Sequence, residues 1–182
     1  MSKLRHIIND RILIMIYYSL IYPFLSYGLT VWGSANESTI KPLLVLQKTA
    51  VRIISKCNIS NDYFRKPPSL PLFNKLNLLI IQDIFKLEIT KFVYDSVNKI
   101  NPPQFHSYFK LSNSPYNTKS STQHKLFLPQ IRTTNYGIKS IKFTGALTWN
   151  DLPFHIRSIQ SRKSFIRRLK KQIIASYLST QF

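Results

Sequence analysis

From Ile12 to Asn36 the chain carries no charged side chain. Such a run must end up in a bilayer or against protein. As one helix, Ile12 to Gly33 would measure about 33 Å, enough to cross a bilayer. Lys3, Arg5 and Arg11 stand in front of it, as in a signal anchor. Against a span, Tyr17, Tyr18, Ser19, Tyr22, Ser26, Tyr27, Gly28 and Thr30 spread polar groups and breaks along its length. Pro23 also removes a helical hydrogen bond near the middle. We therefore expect two shorter helical pieces that break near Pro23, end by Gly33 and are buried in protein. A membrane span at 12–33 is the alternative.

The next segment is apolar on one side and basic on the other. From Ile40, apolar residues fall at Leu43, Leu46, Ala50, Val51, Ile53 and Ile54, a helical spacing. Lys48, Arg52 and Lys56 recur every four residues, and Lys41 lies seven before Lys48, so all four line one side. Ser38 or Thr39 can cap the start, with Pro42 in the first turn. The basic side is either a solvated face or a surface laid along a polyanion.

These residues carry a resemblance. Tyr17-Tyr18-Ser19-Leu20-Ile21-Tyr22-Pro23, Ser26-Tyr27-Gly28, Val31-Trp32-Gly33, Leu46-Gln47-Lys48 and Ala50-Val51-Arg52-Ile53-Ile54 come in order. Tyr116-Asn117-Thr118-Lys119-Ser120-Ser121, Leu128-Pro129, Arg132-Thr133, Tyr136-Gly137 and Gly145 follow. Trp149-Asn150-Asp151-Leu152-Pro153 and a Ser-Phe plus Lys/Arg helix complete the set. Over about Asp10 to Leu178 the chain resembles the segment after the polymerase core in reverse transcriptases of non-LTR, jockey-type (LINE-type) retrotransposons. Thr49 and Lys119 depart from the pattern, standing where that family commonly has Arg. A lysine at 119 keeps the charge but not the planar bidentate donor.

A formal charge of +19 on 182 residues implies a polyanionic partner, with nucleic acid the first candidate. Ribosomal or membrane-surface attachment would give the same sum. Beyond Asp95 the chain holds fourteen of its 26 cations but only one of its seven acids, Asp151. Cys57 is the single cysteine, so an internal disulfide and a zinc knuckle are both excluded. The apolar region is too long and too Tyr-rich for a signal peptide.

Asn9 or Asp10 can cap a helix beginning at Arg11. Asn58 to Ser69 reads as a loop held open by Pro67-Pro68, and Leu70 to Leu79 as a short helix. Ile81 to Ile100 shows Ile81, Ile84, Phe85, Ile89, Phe92, Val93 and Val97 on one side, the pattern of a core helix. Gln104 to Phe109 forms one turn. Leu111 to Gln123 turns to Ser, Asn, Thr and Lys, a loop whose strip around Lys119 is either solvated or contacts phosphates. Lys125–Ile131 and Ile138–Phe143 are expected as short strands flanking a turn at Asn135-Tyr136-Gly137, with Arg132, Lys139 and Lys142 on the hairpin. Tyr136 beside Arg132 either packs or stacks on a base. Gly145 to Pro153 is a short helix anchored by Trp149. In Ser161 to Leu178, Phe165, Leu169, Ile173 and Tyr177 recur every four residues, with Arg162, Lys163, Arg167, Arg168, Lys170 and Lys171 around them.

Polymerase and nuclease chemistry needs clustered carboxylates to hold divalent metal. Asp10, Glu37, Asp62, Asp83, Glu88, Asp95 and Asp151 show no such cluster, and His6, His106, His124 and His155 have no ligand spacing. The paired-aspartate motif of a reverse-transcriptase palm is missing.

The expected architecture is mainly α, a small thumb-like helical bundle with a short β-hairpin and a basic C-terminal amphipathic helix. We divide it at 1–109 and 110–182. The resemblance implies the non-catalytic, nucleic-acid-binding C-terminal portion of an RNA-directed DNA polymerase, gripping template–primer or target nucleic acid through phosphates. RNA, DNA or their hybrid would be the partner, together with a polymerase core. No catalytic or metal-binding residue, cofactor or small-molecule substrate is expected, and the location is intracellular, nuclear or cytoplasmic. The alternatives are a membrane-anchored basic protein and a degenerate retrotransposon fragment without selected function.

Overall fold

The uncharged run turns at Gly28, at φ 61°, rather than at Pro23. In the computed structural model, which describes residues 6–56, 68–112 and 124–179, helix α1 (Asp10–Ile16) starts at Asn9, whose side chain accepts from Arg11 N–H at 3.3 Å. It passes into a π turn (Tyr17–Ile21) closed by Tyr22 N–H donating to Tyr17 C=O, and continues as α2 (Tyr22–Ser26). The wider turn makes room for the proline ring, which would otherwise strike the preceding carbonyl. A positive φ suits glycine, and a single-turn helix α3 (Leu29–Trp32) follows.

Helix α4 (Glu37–Ile54) starts one to two residues before the expected caps, with Asn36 in the cap position and Pro42 inside the helix. Then come α5 (Ser69–Lys75), α6 (Ile81–Val97), a 3-10 turn (Pro103–Phe105), a π turn (Thr134–Ile138), α7 (Ile141–Asn150), α8 (Phe154–Arg157) and α9 (Arg162–Ser179). The architecture is mainly helical. Among the described residues, no helix is long and apolar enough to cross a membrane.

The chain divides into two compact units. The first comprises residues 1–29, 35–84 and 172–182. Leu13, Tyr17, Leu25, Val51, Ile54, Phe73 and Ile84 form its core. Gln47, 1% exposed, ties it together. Its Nε2 donates to Tyr17 Oη at 2.9 Å and Leu79 C=O at 2.8 Å, while its Oε1 accepts from Ile81 N–H at 2.9 Å. Tyr177 Oη donates to Asp83 Oδ2 at 2.5 Å and accepts from Ile80 N–H at 3.2 Å. The sequence suggested that the uncharged run is buried, but Leu20 and Phe24 stay exposed, and with Leu46 of α4 they line an apolar groove of about 520 Å³.

The second unit comprises residues 30–34 and 85–171. Its core stacks Tyr94 on Phe165 at 4.4 Å between ring centroids, with Trp149 5.8 Å from Phe165. Gly145 lets α7 close on its neighbours. A Cβ there would lie 2.9 Å from Val93 Cγ2 and 3.0 Å from the Phe109 ring.

The expected β-hairpin does not form. Leu126 makes an isolated antiparallel bridge with Leu111, flanked by Ser112 N–H to Lys125 C=O and Phe127 N–H to Lys110 C=O, both 2.8 Å. The other edge is occupied by a side chain: Asn150 Oδ1 accepts from Leu126 N–H at 2.8 Å, and Asn150 Nδ2 donates to Leu126 C=O at 2.9 Å. Ile138–Phe143 cannot pair there and instead enters α7, with Ser140 Oγ accepting from Phe143 N–H as the N-cap.

Candidate nucleic-acid interface

Helix α4 buries Ile40, Gln47, Val51 and Ile54 in the first unit. The helical repeat therefore sets Lys41, Lys48 and Arg52 together on one flank of that buried face. Lys41 is exposed, and Lys48 and Arg52 are half-buried. Lys48 and Leu44 line a small cavity with Pro68, Ser69 and Leu70 at the start of α5. Thr49 Oγ1 donates to Val45 C=O at 3.0 Å, so this hydroxyl is turned onto its own helix.

Lys56 has a second task. At φ 51° it is the left-handed residue just past α4, and its Nζ lies 3.0 Å from Asp10 Oδ1. Its charge is shared with that carboxylate, in a half-exposed pair worth little to stability.

In the second unit, α9 buries Phe165 and Leu169. Lys163, Arg167 and Lys171, four residues apart, are exposed on the side away from that pair, with Arg168 exposed on the flank and Lys170 half-buried. Arg162 is different. Its Nε and Nη2 donate to the two carboxylate oxygens of Asp95 at 2.6 and 2.7 Å. That hydrogen bonding raises the guanidinium pKa above its ordinary value, against some loss of solvation.

Arg132 and Lys142 are exposed and Lys139 is half-buried. They decorate a loop, a π turn and the first turn of α7 rather than a hairpin. Lys142 Nζ sits 4.4 Å above the Tyr108 ring centroid, a cation–π contact. Tyr136 is 90% exposed and so does not pack in the core. Lys119 lies outside the described residues.

The carboxylates are dispersed as ion-pair and hydrogen-bond partners: Asp10 with Lys56, Asp83 with Tyr177, Glu88 with Lys91 at 2.7 Å, and Asp95 with Arg162. Among the described residues, no group of three or more His, Cys, Asp or Glu could hold a metal ion.

Sequence reasoning passed over Arg157. It is 7% exposed, and its Nε and Nη1 are buried with no hydrogen-bond partner among the described residues. Loss of solvation lowers its pKa. A cation between Ile156 and Ile159 was the one available signal.

No family model, curated protein or solved structure matches the chain.

Proposed function

We propose that this chain is the non-catalytic, nucleic-acid-binding C-terminal portion of an RNA-directed DNA polymerase of the non-LTR retrotransposon type. It holds template–primer or target nucleic acid by its phosphates. The observation that carries the reading is the exposed row Lys163, Arg167 and Lys171 on α9, set opposite buried Phe165 and Leu169. Lys41, Lys48 and Arg52 make a less open row in the first unit, the last two half-buried. Rows at one helical turn match the job of following successive phosphates, and a +19 chain releases many counterions when it does so.

Fluorescence anisotropy with an RNA–DNA hybrid and a DNA duplex, titrated at several salt concentrations, tests this. Binding is expected to be weakly sequence-dependent, with a log–log salt slope steeper than about −2. The triple variant K163E/R167E/K171E should bind at least about tenfold more weakly and with a shallower slope, at an unchanged melting midpoint. A folded chain that ignores both duplexes in dilute buffer overturns the reading.

A further inference from the structure

Arg157 closes α8, a four-residue helix that follows Pro153. The residue is 7% exposed, and two of its guanidinium nitrogens, Nε and Nη1, are buried without an acceptor among the described residues. Nor can the second unit supply a counter-charge easily. The whole sequence of that unit contains three carboxylates, Glu88, Asp95 and Asp151. Glu88 is held by Lys91, Asp95 grips Arg162 with both oxygens, and Asp151 is exposed. Burying two guanidinium N–H donors of a cation without an acceptor is costly to a fold. Its usual compensation is an oxyanion, which accepts from the planar donor fork.

We propose that Arg157 is the receptor for a phosphate oxyanion supplied from outside the chain, a phosphodiester of the bound strand. The identity of the strand rests on the nucleic-acid reading above; the phosphate chemistry does not. The exposed row Lys163, Arg167 and Lys171, in the same unit as Arg157, follows the backbone loosely, as point charges in water. Arg157 instead takes one phosphate in a dry setting and sets the register of the strand.

The test uses the full chain and two variants. R157M replaces the cation with an apolar group of similar length; R157K keeps the charge but loses the fork. Melting is followed with inorganic phosphate against chloride at equal ionic strength, and duplex affinity by anisotropy. Without phosphate, R157M should melt no lower than the wild type, because an unpaired buried charge has been removed. Phosphate should raise the wild-type midpoint but not that of R157M, and should raise that of R157K less. Duplex affinity should fall about tenfold in both variants.

Loss of the phosphate effect with unchanged duplex affinity assigns the site to free phosphate, and overturns the strand as its source. An equal phosphate effect in wild type and both variants overturns the receptor altogether. Should R157M fail to fold, R157K gives the same readout. A wild type that ignores duplexes but keeps an Arg157-dependent phosphate effect defeats the nucleic-acid reading and leaves the receptor standing.

Discussion

Arg162 and Asp95 meet edge to edge, Nε 2.6 Å from Oδ1 and Nη2 2.7 Å from Oδ2. The carboxylate side is the buried one: Asp95 is 7% exposed, while the arginine side chain is about half exposed. Removing the acid therefore strips the lock from the first turn of α9. Asp95→Asn should destabilise the fold by about 1–3 kcal/mol in urea unfolding. Because the cation is already neutralised, Arg162→Gln should leave the salt slope of duplex binding unchanged, whereas Arg167→Gln should flatten it by about 1. Equal effects on the slope would place both arginines on phosphate.

Gln47 satisfies three buried groups with one amide. Gln47→Leu leaves Tyr17 Oη, Leu79 C=O and Ile81 N–H short of their partner, at a cost on the order of 3 kcal/mol. Gln47→Glu keeps the acceptor for Ile81 but loses the two donors and adds a buried charge. It should be at least as damaging at neutral pH, and should recover part of the loss as the carboxylate protonates. Chemical denaturation at two pH values measures both.

Tyr177 sets an alkaline limit. Burial, followed by the bond to Asp83, pushes its phenol above the ordinary value, against a smaller downward pull from Ile80 N–H. The folded state thus keeps a proton that the unfolded chain releases from about pH 10 upward. Stability is full below that pH and falls as pH rises beyond it. Tyr177→Phe should lower the midpoint at pH 7 through the lost hydroxyl bonds, and should make the decline above pH 10 shallower. Parallel declines in the two proteins would show that other groups control the limit.

Phe24 and Leu25 are neighbours with opposite fates, one 82% and the other 7% exposed. Phe24→Asp should change stability by no more than about 0.5 kcal/mol, since surface substitutions seldom do more. Leu25→Asp buries a carboxylate without a partner and should abolish cooperative melting. Scanning calorimetry of both variants decides whether the outer side of α2 is free of other protein.

The long periodic elements were legible in the sequence, because burial on one side leaves a 3.6-residue imprint. The Ile40–Ile54 and Ile81–Ile100 patterns and the Phe165–Tyr177 repeat became α4, α6 and α9 within a few residues. The hairpin failed for a local reason. Ile138–Phe143 fits either period, and only Ser140 as a cap, with Asn150 imitating a strand against Leu126, decides for helix. The candidate cations were equally visible as a row, but their occupation was not. That Arg162 is engaged by Asp95, Lys56 by Asp10 and Lys142 by the Tyr108 ring depends on contacts made in space, all three over more than thirty residues of sequence. Gln47, Asp83 and Arg157 were hidden for the same reason: polar residues on an apolar side look like noise until their partners, or the lack of them, are known.

The π turn at Tyr17–Ile21 has a bearing on how this helix tolerates changes in length. Leu13 and Leu25 both point inward although twelve residues separate them, which on a uniform α-helix would leave them about 120° apart. Absorbing one residue in the wide turn brings that discrepancy down to about 20°. The turn thus behaves like a vernier: a sister chain lacking one residue between Tyr17 and Leu25 could straighten this stretch and still present the same inward side chains.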